Sequence, residues 1–184
     1  TWATPVDEAA ADAALCDGAV ACEVTARVRV LPGAPPAGSA EGVERLLRDL
    51  AMMEERRGET DDPAHPTDPA LRRLEAKLDL TLQLLAQALP ALAPPPPRMV
   101  RLSARGLRIQ ASAADAEVAD TSATLAWQPG DGLPLLAYLP VRCLARQGES
   151  SWWAFEPLEP VLADLLERHV FRLHRRWLAA QRRG

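Results

Sequence analysis

Residues 98–109, RMVRLSARGLRI, place a hydroxyl group, a glycine and four guanidinium groups around one short turn. Apolar residues alternate with polar ones on both sides of it, which predicts two strands joined by a tight turn. Hydroxyl groups and arginines are groups that bind phosphate, so the turn can be an anion-binding loop. It can equally be a plain hairpin, in which Gly106 supplies the turn conformation and Ser103 bonds the turn backbone.

Residues that could support catalysis or hold a metal do not fall into a known arrangement. His169 and His174 are five positions apart and do not share a helix face, and Ser103 has no histidine or aspartate nearby in the sequence. The aspartates of residues 61–68 occur with prolines rather than at a metal-binding spacing, and the three cysteines form no Cys-x-x-Cys pair. We therefore expect no enzyme, no metal site and no cofactor, and an ordinary, half-buried His169.

Length, composition and charge limit the class of protein further. A chain of 184 residues with 48% hydrophobic content can bury one core, so we expect a single domain over residues 1–184. The formal net charge of −4 argues against specific nucleic-acid binding. No apolar run reaches the length of about 18 residues that a membrane span needs. Because the first residues, TWATPVDEAAADAAL, lack the pattern of a signal peptide, we expect a cytoplasmic protein.

The order of the patterns predicts a small β-barrel followed by a helix. Residues 21–30 alternate apolar and polar side chains, which is typical of a half-buried strand. Five later runs have the same alternation or a β-rich composition, and six strands are enough to close a small barrel. From Leu158 onward the pattern is helical, with one apolar face and one face of arginines. The five later runs are RMVRL, GLRIQA, SATLAWQ, LPLLAYLPVRCLAR and SWWAFEPL.

Two further helices are predicted over residues 41–92, between the first strand and the other five. The second of these helices carries apolar residues on two faces, and one domain core cannot cover both. One interpretation is a helix wedged inside a larger core. The interpretation that we favour is a helix that packs on its own domain with one face and on another copy with the other. The leucines concerned are Leu74, Leu78, Leu82, Leu85 and Leu89 on one stripe, and Leu80 and Leu84 on the other.

Trp152 and Trp153 are neighbours in a predicted strand, where successive side chains point to opposite faces. Either ring could stack on a nucleotide base. The simpler expectation is that one tryptophan lies in the core and the other lies on the surface.

The strand–turn–strand VRLSARGLRI, in a six-stranded antiparallel set that ends in FEPL and the helix LERHVFRLHRR, resembles the PilZ domain, the bacterial receptor fold for cyclic di-GMP. The resemblance covers residues 21–30 and 98–176. It implies an α+β fold, namely a six-stranded antiparallel PilZ-like β-barrel with a two-helix insertion and a C-terminal helix. The family's turn reads Asp/Asn-x-Ser-x-x-Gly. Ser103 and Gly106 match it, whereas Arg101 stands at the acidic or amide position.

The second signature of the family is an Arg-x-x-x-Arg pair that clamps guanine and phosphate, and no such pair lies upstream of the turn. Arg101 also puts a donor where the family has an acceptor for the guanine edge. The resemblance therefore implies a vestigial ligand motif, formed by Arg101, Ser103, Arg105 and Gly106, that does not bind cyclic di-GMP. The alternative is a divergent nucleotide receptor that uses Arg101, Arg105 and Arg108.

The layout is also similar to that of the non-canonical PilZ proteins of plant-pathogenic bacteria, in which inserted helices assemble a tetramer and the cyclic di-GMP motifs are missing. This resemblance implies a non-enzymatic scaffold or adaptor in motility or virulence signalling, with the type IV pilus machinery as one candidate partner. It also implies that residues 41–92 form an oligomerisation element. The helix pattern by itself supports only self-association, and the tetramer comes from the resemblance.

Overall fold

In the computed structural model, the chain forms a closed barrel of six antiparallel strands with helices packed around it. The strands follow the order β1-β2-β3-β6-β5-β4 around the barrel. Their bounds are β1 Ala21–Pro32, β2 Pro97–Ser103, β3 Gly106–Gln110, β4 Ser122–Gln128, β5 Ala137–Gln147 and β6 Ser150–Phe155. The structure describes residues 7–60, 70, 73–74, 76–78, 80–81, 84, 95–110, 118, 121–130 and 135–182.

Helices α1, α2 and α3 span Glu8–Cys16, Ser39–Thr60 and Pro160–Gln181, and the described residues between 70 and 84 are also helical. The predicted α+β fold, a six-stranded antiparallel barrel with a C-terminal helix, is confirmed. Helix α1 is an element that the sequence patterns did not predict. Within the part of the chain that the structure describes, no helix is long and apolar enough to cross a membrane.

The core lies inside the barrel and beneath α2 and α3. Alternate strand residues point inward, as Val28 and Val30 of β1 do, and each of these two is 1% exposed. Fully burying one aliphatic side chain contributes about 1.5 to 3 kcal/mol, so the two helices are an integral part of the domain. Their residues in the core are Val43, Leu46, Leu47 and Leu50 from α2, and Leu162, Leu166 and Val170 from α3.

An ionic contact also joins α2 to α3. The carboxylate of Glu54 lies 2.9 Å from Arg172 Nε and 2.7 Å from Arg176 Nη2. The two arginines are four positions apart on one face of α3, so a single acceptor reaches both. The arginine face that was predicted for this helix is therefore partly engaged within the chain.

His169 of α3 is buried rather than half-buried as expected. It is 1% exposed, and its ring meets the edge of Trp127 at a centroid distance of 5.3 Å. Burial, helped by the nearby cations Arg172 and Arg176, lowers the pKa of His169 from 6.5 to about 4, while the backbone of Pro129 opposes the shift. The histidine is neutral in the folded protein at neutral pH.

This buried histidine predicts a loss of stability in mild acid. Above pH 6.5 the ring is neutral in both the folded and the unfolded chain, whereas between pH 6.5 and about 4 only the unfolded chain takes up the proton. We expect the free energy of unfolding to fall by up to about 3 kcal/mol over this range. Urea denaturation at pH 7.5 and 4.5 measures the effect, with His169→Phe as the control that cannot titrate. An equal acid loss in both proteins would show that the histidine does not cause it.

Candidate functional site

The β2–β3 turn, residues 103–106, is a hairpin whose polar groups are bonded by the protein itself. Ser103 faces Gly106 across the two strands and is 1% exposed. The Ser103 hydroxyl donates to the Leu15 carbonyl at 2.7 Å and accepts from the Arg105 backbone N–H at 3.1 Å, with the Gly106 carbonyl 3.2 Å away. Because a hydroxyl has a single donor hydrogen, the donor capacity of Ser103 is already used within the chain.

Gly106 allows three parts of the chain to meet at this turn. A Cβ at this position would overlap the backbone carbonyl oxygen of Trp153 and would lie 2.7 Å from Cδ2 of Leu15. The strand β6 and the end of α1 therefore both approach the turn more closely than a side chain permits. The glycine that matches the family's turn has a packing role here.

Helix α1 covers the outer side of the barrel next to the turn. Asp7 caps the helix by accepting from the Ala9 backbone N–H at 3.2 Å, and its alanine-rich sequence favours helix. Ala11 and Leu15 are buried against Trp152 of β6. The apolar residues packed around this contact are Cys16, Leu144, Ala145 and Ala154.

Asp12 of α1 connects the helix to the arginines of the outer barrel face. Its carboxylate accepts from Arg101 Nη1 at 2.7 Å and from Trp152 Nε1 at 3.2 Å, and lies 3.9 Å from Arg108 Nη1. Arg108 also lies 3.7 Å from a carboxylate oxygen of Glu23. These groups are partly exposed, so each ion pair contributes about 1 kcal/mol or less. Together they leave both guanidiniums with carboxylate partners inside the chain.

The structure brings together three of the four residues of the predicted ligand motif. Arg101, Ser103 and Gly106 all contact α1. Arg105 is exposed at the turn and contributes backbone groups, since its carbonyl accepts from the Phe155 N–H at 2.8 Å. Arg108 is the cross-strand partner of Arg101. The motif therefore exists as a cluster, in which α1 contacts Arg101, Ser103 and Gly106 while Arg105 stays exposed.

Trp152 lies beneath α1 and is 0% exposed, as is Trp153 in the main core. The expectation that one of the two lies on the surface is therefore wrong. The rings belong to two separate clusters, as alternation along β6 requires, but α1 buries the outer ring. In this conformation neither ring is available to stack on a base.

The thiols near the turn are not activated as nucleophiles. Burial raises the pKa of Cys16, with Arg101 opposing the shift, and burial raises the pKa of Cys22 to about 11. Both thiols therefore stay protonated at neutral pH. Among the described residues no group of three or more histidine, cysteine and acidic side chains is placed to hold a metal ion.

The second candidate site is the helical segment whose described residues lie between 70 and 84. Four of its leucines are each more than half exposed: Leu74 at 54%, Leu78 at 55%, Leu80 at 57% and Leu84 at 56%. None of these four belongs to the core of this chain, which argues against a helix wedged inside one domain. The expectation that the stripe of Leu74 and Leu78 packs on its own domain is also wrong for these two residues, because they are as exposed as Leu80 and Leu84. The other leucines of the predicted oligomerisation set, Leu82, Leu85 and Leu89, lie outside the described residues.

Comparison with known families identifies the class of protein. Residues 47–183 match the sequence model of the atypical PilZ domain, which is described as a cyclic di-GMP receptor. Because this match covers most of the chain, the protein belongs to the atypical PilZ domain family. The predicted relationship to PilZ domains is confirmed.

A solved structure gives a more particular likeness. The chain is 32% identical to a pathogenic, tetrameric PilZ-domain protein from Xanthomonas campestris that self-assembles through a helical bundle. The likeness covers 93% of this chain and 97% of that one, with a TM-score of 0.69. No curated protein matches the chain.

The residues that sequence patterns missed are those of α1. Asp7 followed by an alanine-rich stretch is a recognisable helix start. Asp12 carries no such signal, because its partner Arg101 is 89 positions away in the sequence. Only the folded chain shows that the two side chains meet.

Replacing Gly106 by alanine should destabilise the protein, because the added methyl group collides with the backbone of β6 and with Leu15. We expect a loss of at least about 2 kcal/mol in the free energy of unfolding. Gly42→Ala is the matched control, since nothing lies within 4 Å of its Cβ position in α2 and alanine favours helix by about 0.5 to 1 kcal/mol. Urea denaturation compares the two. Equal stability of the Gly106→Ala and native chains would contradict the close approach.

Proposed function

We propose that this atypical PilZ protein is a non-enzymatic adaptor that assembles with itself and does not act as a cyclic di-GMP receptor through its β2–β3 turn. The observation that supports this most directly is the position of α1. Its Asp12 lies against Arg101 and Arg108, and its Leu15 carbonyl accepts the hydroxyl proton of Ser103.

A nucleotide that engaged the Ser103 hydroxyl and took the guanidiniums of Arg101 and Arg108 from Asp12 would have to displace α1. Displacement would expose Leu15 and Trp152, which are 2% and 0% exposed, and re-exposing one such side chain costs about 1.5 to 3 kcal/mol. It would also break the contacts of Asp12 with the two arginines and with the indole. In return the nucleotide would meet Arg101, a donor, at the position where the family has an acceptor for guanine. The cost of displacing α1 therefore exceeds what the nucleotide contacts return, which opposes binding of cyclic di-GMP.

Calorimetric titration of the native chain with cyclic di-GMP tests the receptor question. We expect no binding heat at nucleotide concentrations up to about 100 μM, because the balance of contacts opposes exchange. The competing candidate is a divergent receptor, and the family's description favours it. Binding at micromolar or lower concentration, abolished by Arg101→Ala or Arg108→Ala, would establish that candidate and refute this part of the proposal.

Self-assembly is supported by the exposed leucines and by the likeness to the Xanthomonas protein. Four large apolar side chains, each more than half exposed on one helix, are a surface that a stable monomer has little reason to carry. We assign residues 41–92 as the oligomerisation element and a homotetramer as the assembly. The number four rests on the likeness, whereas self-association also rests on the leucines themselves.

Solution mass by multi-angle light scattering at low micromolar concentration tests the assembly. We expect the native chain to have about four times its monomer mass of 19.9 kDa, and the Leu80→Glu, Leu84→Glu double variant to dissociate. Arg175→Glu on α3 is the control, because it shifts the net charge by the same amount without removing a leucine. A native monomer, or a double variant that keeps its mass, would refute the role of the helix. A native dimer would refute only the tetramer.

The likeness to PilZ proteins also underlies the proposed biological setting. PilZ domains are cyclic di-GMP receptors rather than enzymes, which agrees with the raised pKa of the Cys16 and Cys22 thiols. We place the protein in the cytoplasm, in motility or virulence signalling, with the type IV pilus machinery as a candidate partner. These assignments stay predictions.

A further inference from the structure

We propose that the outer face of the barrel around Trp152 is a docking surface for an acidic amphipathic helix of a protein partner, and that α1 is the internal occupant that keeps it closed. We name this face the Trp152 surface. It consists of Trp152, Leu144, Ala145 and Ala154, bordered by Arg101 and Arg108. The inference is independent of self-assembly through the leucine helix.

The composition of the Trp152 surface is that of a protein-binding site. Trp152 is large and lies on the outer side of β6, where Ala11 and Leu15 of α1 complete its burial. Tryptophan and arginine are the residues most enriched among those that dominate binding energies at interfaces. Without α1, an apolar patch with a tryptophan at its centre and two guanidiniums at its edge would face solvent.

The kind of helix that fits is defined by α1 itself. Ala11 is small and fully buried, which allows the helix backbone to approach the indole. Asp12 reaches Arg101 and the indole N–H, and Leu15 follows one turn later against the same cluster. The surface therefore selects the pattern Ala-Asp-x-x-Leu on one helical face. Acidic residues in the segment, such as Asp7 and Glu8 at its start, are opposite in charge to the two arginines and therefore complement them.

Several features make α1 displaceable rather than permanent. It has nine residues, and an isolated helix of that length is only marginally stable in water, so its helicity depends on docking. Ala11 and Leu15 are its buried residues, and the ion pair of Asp12 with Arg101 is partly exposed at 25% and 35%. Opening of α1 therefore requires less free energy than unfolding of the barrel. A longer partner helix with the same three contact residues adds contacts that α1 lacks.

The link between α1 and β1 determines how tightly a partner helix must bind in order to displace α1. Residues 17–20 join α1 to β1, and a short flexible link holds a segment near its site at an effective concentration of the order of millimolar. A partner helix binds only if its affinity and concentration together outcompete the tethered α1. The surface is therefore closed to weak binders and open to a helix that binds more strongly than α1.

A peptide of residues 7–17 with Cys16→Ser is the probe for this surface. We titrate it into the native full-length chain and into the full-length Leu15→Asp variant, whose own α1 is loosened, and follow the Trp152 indole N–H by NMR. We expect the variant to bind the peptide at least about tenfold more tightly than the native chain, because the internal competitor is removed. The same peptide with Asp12→Lys is the control and should not bind.

A charge exchange tests the pairing of Asp12 with Arg101. In the Leu15→Asp background, Arg101→Glu should weaken binding of the native-sequence peptide and strengthen binding of the Asp12→Lys peptide. If Leu15→Asp disturbs the barrel resonances, Asp12→Asn replaces it as the variant with a loosened α1. Equal binding by native and loosened chains, or no binding by a loosened chain with an intact barrel, would refute the docking surface. Isotope-labelled loosened chain is also mixed with unlabelled native chain. If the labelled chain then shows the native indole signal, α1 of a second copy occupies the surface instead of a partner.

Discussion

The contact between the β2–β3 turn and the end of α1 is the constraint on which the outer face of this barrel depends. Gly106 lets the β6 backbone and Leu15 approach the turn together, and Ser103 fixes the end of the helix through the Leu15 carbonyl. Once the helix end is fixed there, Asp12 lies one turn back, within reach of Arg101 and the indole of Trp152. The residues that match a nucleotide-binding turn thus hold a helix.

Two surfaces of the described part of the chain differ in whether the protein itself covers them. The closed surface is the turn face, where α1 packs against Ser103 and Gly106 and gives Arg101 and Arg108 a carboxylate partner. The open surface is formed by the described helical residues between 70 and 84, where Leu80 and Leu84 face solvent in the single chain. The family is described as cyclic di-GMP receptors, whereas the proposed function of this chain rests on protein contacts at both surfaces.

The strands were predictable because each alternates over a short local stretch, and the closed barrel followed from their number and from the likeness to PilZ domains. Helix α1 was not predicted, since with only Ala11 and Leu15 buried it shows no apolar stripe. The burial of Trp152 was missed for the same reason, because the covering helix is remote in sequence. Contacts such as that between Asp12 and Arg101 form only when distant segments meet, and no local pattern encodes them.

Amide hydrogen exchange of the native full-length chain, with and without excess cyclic di-GMP, tests the central claim most directly, namely that the protein's own helix occupies the turn face. Docking predicts that the amides of α1 exchange more slowly than those of an unstructured peptide, though faster than those of the barrel strands, and that the nucleotide changes neither α1 nor the turn. Exchange of α1 at the unstructured rate, or a change of protection in α1 and the turn on adding the nucleotide, would contradict it.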